Sequence, residues 1–158
     1  LILLARADDG AVLDRPQVVD MGEIAATTVR RFATVAAANK VTLVSSGAAQ
    51  MTGDPPAIER ALANLVDNAL RHTPEGGRIE IEVEQRSPGG AFVVRDTGTG
   101  VEPGLLGTLF DRFTRSKSKP GGAGLGLSIV AAVAASHGGS VAARNLPEGG
   151  LEITFVVG

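Results

Sequence analysis

Apolar residues recur at helical spacing over residues 54–73, and they form the strongest pattern in the chain. The positions that make one continuous face are Ile58, Ala61, Leu62, Leu65, Val66, Ala69 and Leu70. Asp54 followed by Pro55 predicts where this helix begins, because a short acidic side chain and a proline are both favoured at a helix N-terminus. Pro74 predicts its end, because the residue before a proline avoids helical geometry.

Three polar residues follow at intervals of four within this helix: Asn64, Asn68 and His72. Residues four apart lie above one another on a helix, so these side chains should form a stripe along the edge of the apolar face. Two carboxamides lower the helix propensity of the segment. A stripe that simply faces water is the plain alternative, and this helix alone does not exclude it.

Shorter patterns predict the remaining elements. Helices are expected at 21–38, near 103–110 and at 125–137, and strands at 17–20, 41–45, 49–52, 78–85, 91–95, 140–145 and 151–157. Antiparallel hairpins interleaved with helices predict an α/β two-layer sandwich, in which one mixed β-sheet packs on three helices at one face. The segment 96–124 is mostly irregular, and a loop of that length is usually functional.

Composition restricts the class of protein. The 158 residues suit one domain at 17–158, with 1–7 read as the tail of a preceding helix and 8–16 as a linker. A net charge of −2 gives no general attraction to nucleic acid, and the absence of Cys excludes disulfides and thiolate metal sites. No apolar run approaches the roughly 20 residues of a membrane helix. These features predict a cytoplasmic protein, or the cytoplasmic part of a membrane-anchored one.

Asp96-Thr-Gly-Thr-Gly100 directly follows a predicted strand. An aspartate at a strand end, followed by two glycines, places a carboxylate beside a backbone that can approach a ligand closely. A calcium loop would need further acidic or amide ligands, which Thr97, Gly98 and Thr99 do not supply. A plain tight turn remains the structural alternative.

The segment Gly121-Gly-Ala-Gly-Leu-Gly-Leu127 opens a helix that is apolar nearly all round. Free backbone N–H groups at such a helix start favour phosphate. The spacing matches neither a Walker A loop nor the dinucleotide-binding fingerprint. Close packing through glycine is the alternative.

Phe110-Asp-Arg-Phe113 precedes these glycines, and cations crowd the interval between: Arg112, Arg115, Lys117 and Lys119. A run of cations in a loop is usually a solvated surface. Beside a phosphate site, the same side chains could neutralise a triphosphate.

These four motifs occur in one order: Asn-x-x-x-Asn, Asp-x-Gly-x-Gly, Phe-x-x-Phe and Gly-x-Gly-x-Gly. Together they closely resemble the N, G1, F and G2 boxes of the catalytic ATP-binding domain of sensor histidine kinases. That domain belongs to a superfamily with DNA gyrase, the heat-shock chaperone ATPase and the mismatch-repair ATPase. The resemblance covers about 17–158. It implies a Bergerat-type fold with ATP and Mg²⁺ under a mobile lid, here 101–123.

The resemblance also implies roles for single residues. Asn68 would bind Mg²⁺ through its carbonyl oxygen, and Asn64 would support the metal or its waters. Arg71 would reach the phosphates. His72 would pack on adenine, and Asp96 would accept a hydrogen bond from the adenine amino group.

Further residues are implied to surround the nucleotide. Gly98 and Gly100 would let the backbone close on the base, while Phe110 and Phe113 anchor the lid. The phosphate end would be formed by the lid cations Arg115 and Lys117, the glycine turn of Gly122, Gly124 and Gly126, and the helix-seating Leu125 and Leu127. The catalytic set would be Asn64, Asn68, Arg71, Arg115 and Lys117.

Hydrolysing relatives carry a glutamate where this chain has Asn64, and an amide cannot take a proton from water. The resemblance therefore implies transfer of the γ-phosphoryl group to a histidine on a dimerisation domain, with a response regulator downstream and no nucleic acid partner. Neither His72 nor His137 fits the acceptor. That domain would lie on the same full-length chain or on a separate protein, and residues 1–16 would be its end plus a linker. The alternatives are a hydrolysing ATPase of the superfamily, a serine-directed anti-sigma-factor kinase and an interaction module without transfer activity.

Overall fold

The computed structural model describes residues 16–111 and 126–158. Within them, the strands are β1 (Gln17–Asp20), β2 (Thr42–Gly47), β3 (Gln50–Gly53), β4 (Arg78–Gln85), β5 (Gly90–Asp96), β6 (Ser140–Asn145) and β7 (Leu151–Val157). The helices are α1 (Met21–Ala38), α2 (Pro55–His72) and α3 (Gly126–Ser136), and a 3-10 helix spans Pro103–Thr108.

Five strands form one mixed sheet in the order β2-β4-β5-β7-β6. Only the β2–β4 pair in this sheet is parallel, and the other neighbours are antiparallel. The three helices cover one face of it and bury a single apolar cluster against the sheet. Phe92 and Phe155 stack at the centre of that cluster, with ring centroids 5.8 Å apart. The predicted two-layer architecture is confirmed.

The structure differs from the prediction of one sheet, because β1 and β3 pair with each other in a separate two-stranded sheet. The chain leaves the large sheet at Gly47, whose φ is +86°. The side chain of Gln85, at the end of β4, links β3 to the large sheet in place of backbone hydrogen bonds between strands. The Gln85 Oε1 accepts from the Gln50 N–H at 3.0 Å, and the Gln85 Nε2 donates to the Gln50 carbonyl at 3.1 Å.

Strand register divides the residues of β5 between the two faces. Asp96 pairs with Ile79, so its side chain lies on the helix-covered face with the core. Arg95 is opposite Glu80 and Glu152, on the other face of the sheet. Adjacent positions of one strand therefore serve the interior and the outer surface.

The boundary of α2 agrees with the sequence, but its capping differs. Asp54 occupies the N-cap position without a side-chain capping hydrogen bond. Its backbone N–H instead donates to the His137 Nε2, at 3.0 Å. Within residues 16–111 and 126–158, no helix combines the length and apolar character that crossing a membrane requires.

Candidate functional site

Helix α2 supplies the polar edge of the site. Its apolar face is buried, as the periodicity predicts. Asn64, Asn68 and His72 are all half-buried and line the border between that face and the exposed side. The predicted stripe is therefore present, and it does not simply project into water.

Asn64 joins α2 to the start of α3. Its Nδ2 donates to the Gly126 carbonyl at 3.3 Å. A carbonyl can only accept, so this contact fixes which end of the carboxamide is the nitrogen.

Arg71 makes a local contact, since its Nε lies 3.0 Å from the Asp67 Oδ2 and both side chains are about half exposed. Such an exposed ion pair contributes little free energy, so Arg71 could leave Asp67 and bind another anion at little cost.

Asp96 ends β5 with only 4% of its surface exposed. Its Oδ1 accepts from the Gly98 N–H at 2.9 Å and from the Leu151 N–H at 3.2 Å. Burial raises the pKa of this carboxyl, because it disfavours the charged form. The two backbone hydrogen bonds and the charge of His72 oppose that pKa shift. The carboxylate is thus held in a fixed place without an arginine or lysine partner among the described residues.

The turn after Asp96 approaches its neighbours too closely for side chains. A Cβ on Gly98 would collide with the His72 carbonyl oxygen. Gly100 has a φ of +76°, and a Cβ there would lie 2.6 Å from the Asn145 Oδ1. The two glycines of this motif are therefore required by the turn itself.

Two residues outside the predicted site hold its elements in place. Asn145, at the end of β6, accepts from the Val101 N–H at 2.8 Å and donates to the Val101 carbonyl at 2.7 Å. His137 is 6% exposed. Its Nδ1 lies 2.8 Å from the Val133 carbonyl, so Nδ1 carries the hydrogen while Nε2 accepts from Asp54. Their partners are distant in sequence, so no local pattern signals these roles.

The outer face of the same sheet carries a charged network. Glu152 accepts from the Arg95 Nε at 2.7 Å and from the Arg144 Nε at 2.8 Å. Arg95 also donates to Glu82 at 3.1 Å. Hydrogen bonds from Arg144 and then Arg95 lower the pKa of Glu152, against the effect of burial.

The family of histidine kinase-, DNA gyrase B- and HSP90-like ATPases matches residues 53–158. The chain belongs to this family. A relative in Mycobacterium ulcerans, the signal transduction histidine-protein kinase/phosphatase MprB, is 38% identical over 95% of this chain and 29% of its own length. The chain spans less than half the length of the curated relatives it matches.

Solved structures of histidine kinases in this family agree with the fold. A mycobacterial sensor histidine kinase MprB superposes with a TM-score of 0.78 at 31% identity, covering 89% of this chain and 97% of that one. Full-length ShkA in complex with AMPPNP gives 0.84 at 25% identity, covering 99% of this chain and 34% of that one. The stretch predicted to be the N box lies on α2, and the stretch predicted to be the G1 box forms the turn after β5.

The stretches predicted to be the other two boxes lie only partly within the described residues. The beginning of the predicted lid contains the 3-10 helix, and Leu106, Leu109 and Phe110 are half-buried against the core. Gly126 and Leu127 open α3, where Leu127 packs against the core. The predictions for Phe113, Arg115, Lys117, Gly122, Gly124 and Leu125 lie outside the described residues.

Proposed function

We propose that this domain binds ATP with Mg²⁺ and donates the γ-phosphoryl group to a histidine on a separate dimerisation domain, in two-component signal transduction. The buried Asp96 carboxylate carries the proposal, since it lies in a glycine-lined turn with two fixed backbone donors. Relatives named as histidine kinases support it, as does the AMPPNP bound by ShkA. The same inference implies work in the cytoplasm, where ATP is present, and a response regulator downstream.

At the base end, Asp96 is the acceptor for the adenine amino group. Both backbone hydrogen bonds end on Oδ1, so we assign Oδ2 to the base. The ring of His72 would pack on adenine. Gly98 and Gly100 allow the tight turn that would bring the backbone up to the base, because a Cβ at either position would collide with the protein itself.

At the phosphate end, the donors suit Mg²⁺. The proposed ligands are carboxamide and phosphate oxygens. Amide oxygens are hard ligands of the kind Mg²⁺ accepts, alongside water and phosphate. Asn68 would hold the ion. Asn64 uses its nitrogen on Gly126, so its Oδ1 is the atom that would orient the metal's water.

Charge neutralisation would come from side chains around the triphosphate. Arg71 can exchange its exposed contact with Asp67 for a phosphate oxygen. Arg115 and Lys117 are proposed to act beside it, with Phe110 and Phe113 anchoring the lid. The glycine turn of Gly122, Gly124 and Gly126 would present backbone N–H groups, with Leu125 and Leu127 seating the helix behind them.

The acceptor histidine must arrive from elsewhere. His137 is buried, and both of its ring nitrogens are engaged with Asp54, Val133 and Ser136. His72 follows the N box at the base end, near Asp96. Hydrolysis is disfavoured, because the Asn64 carboxamide donates to a carbonyl and cannot act as a base.

Two measurements test the proposal. Calorimetry should give Mg²⁺-dependent ATP binding with a Kd between micromolar and millimolar, roughly 4 to 8 kcal/mol. Labelled ATP should then leave acid-labile label on a separately made acceptor domain, and none on this chain alone. Asn68→Ala should abolish the transfer, while Glu59→Ala, on the exposed side of the same helix, should not. Absence of nucleotide binding in the wild type, or label on this chain alone, would overturn the assignment.

A further inference from the structure

Asn145 lies at the end of β6, outside the four boxes, and its carboxamide holds the backbone of Val101 by both polar groups, at 2.8 Å and 2.7 Å. Val101 ends the turn that follows Asp96. We infer that Asn145 is a positioning residue for base selection, which fixes this turn so that the Asp96 carboxylate faces the amino group of adenine. The inference rests on the proposed ATP binding and adds to it what sets the preference for adenine.

The geometry connects Asn145 to the carboxylate through one rung of the sheet. Asn145 pairs with Leu151 in the β6–β7 ladder. The Leu151 N–H is one of the two donors to the Asp96 Oδ1. The pair Asn145–Leu151 therefore contacts both ends of the turn: the Leu151 N–H binds the Asp96 carboxylate, and the Asn145 side chain binds Val101.

The contact requires an amide of this length. Val101 offers one donor and one acceptor, and the carboxamide of Asn145 satisfies both at once because its oxygen and its nitrogen lie side by side. Gly100 makes room for the contact, because a Cβ there would lie 2.6 Å from the Asn145 Oδ1. The turn is then held at two points, by Asn145 at Val101 and by Asp96 at Gly98.

A fixed carboxylate can distinguish purines by the group at one ring position. Adenine has an amino group there, which donates a proton. Hypoxanthine has a carbonyl, which cannot donate and would face the carboxylate oxygen to oxygen. The ratio of affinities for ATP and ITP therefore depends on the position of the Asp96 carboxylate. A general loss of stability would instead lower the affinities for both nucleotides by the same factor.

The test uses Asn145→Leu, which keeps the size of the side chain and removes both hydrogen bonds. Kd values for Mg-ATP and Mg-ITP are measured by calorimetry at a temperature where circular dichroism shows every variant folded. The wild type should prefer ATP by about tenfold or more, the range of a hydrogen bond to a charged group. Asn145→Leu should reduce that ratio to about threefold or less, chiefly by weakening ATP.

Two further variants separate positioning from stability. Thr28→Val removes a buried hydrogen bond to the Ile24 carbonyl in α1, away from the turn, and should leave the ATP/ITP ratio unchanged. Asn145→Ser keeps a polar group on a shorter side chain and should give an intermediate ATP/ITP ratio. This variant replaces Asn145→Leu in the test if the leucine variant does not fold.

The outcomes are distinguishable. If the wild type binds neither nucleotide, the proposed function fails. If the wild type prefers ATP and the Asn145 variants keep its ratio, or lose both affinities equally, the inference alone is wrong.

Discussion

Asp96 and Glu152 are both buried carboxylates, with exposed fractions of 4% and 9%, and they lie on the neighbouring strands β5 and β7. They face opposite sides of the same sheet. Glu152 accepts hydrogen bonds from two arginines, whereas the hydrogen bonds described for the Asp96 side chain come from two backbone N–H groups. Their pKa values move in opposite directions: the Arg144 and Arg95 hydrogen bonds lower that of Glu152, and burial raises that of Asp96.

The difference separates a residue of the fold from a residue of the site. The charge of Glu152 is neutralised within the protein, so this carboxylate joins β5, β6 and β7. The carboxylate of Asp96 is oriented by backbone donors and lies within the influence of the His72 charge, but no arginine or lysine among the described residues pairs with it. Burying a carboxylate without an arginine or lysine beside it costs stability, and the amino group of the proposed adenine ligand would offset that cost.

The largest expected effect comes from Asp96→Asn. This change replaces the acceptor with an amide of the same size, and it should weaken ATP binding by about tenfold to a hundredfold. It should not lower the free energy of unfolding, because a buried charge is removed. Calorimetry and denaturant unfolding measure the two quantities. Unchanged ATP affinity would mean that Asp96 is another structural carboxylate.

Glu152→Gln should give the opposite result. It removes the anion that Arg144 binds and leaves Arg95 with Glu82 alone as its described anionic partner, and we expect a loss of roughly 1 to 2 kcal/mol in the free energy of unfolding. ATP affinity should remain that of the wild type, because the network lies on the outer face. A loss of affinity comparable to that of Asp96→Asn would remove the distinction between the two carboxylates.

Acidification should change ATP affinity through Asp96 and the stability of the fold through Glu152. Asp96 must be ionised to accept from the base, so ATP affinity should fall as the pH drops through its raised pKa, which lies above the ordinary value of about 3.9. Titration of affinity against pH measures this step, and Asp96→Asn should abolish it. A step that persists in that variant must come from another group.

Glu152 and Asp96 should change the free energy of unfolding in opposite directions as the pH falls. Its pKa is lowered, so its stabilisation is complete above the unfolded-state pKa of about 4.3 and is lost as the pH falls through the folded-state value. Unfolding curves of wild type and Glu152→Gln should therefore converge in acid. For Asp96, stability instead rises as the pH falls through its raised pKa.

Arg144→Met should have the smallest effect. The Arg144 side chain is 62% exposed, and Glu152 keeps Arg95 as a partner when it is removed. We expect a loss of stability smaller than that of Glu152→Gln, and reduced further in high salt. If the two variants are equally unstable, the outer arginine contributes as much as the inner one.

Much of this fold could be predicted because its signals are local. The bounds of α1, β4, β6 and β7 follow from periodicity and turn residues. The half-buried stripe of α2 follows from a spacing of four. The separate β1–β3 sheet could not be predicted in this way, since it depends on the turn at Gly47 and on a side-chain contact from Gln85.

The residues that support the site were less accessible to sequence reasoning. Asn145 acts on Val101 across 44 positions, and His137 acts on Asp54 across 83. Each contact is made by a polar residue at the end of an element, where a plain terminal residue is the simplest interpretation. Only the packing of the elements brings these partners together.

Polar contacts near both ends of α3 join it to the segment of α2 and have a mechanical consequence. Asn64 meets Gly126 at the start of α3, and Asp54 meets His137 just beyond its end. A slide of α3 by a single residue, about 1.5 Å, would stretch both contacts at once. The antiparallel pair is therefore braced near both ends of α3 against sliding of one helix along the other.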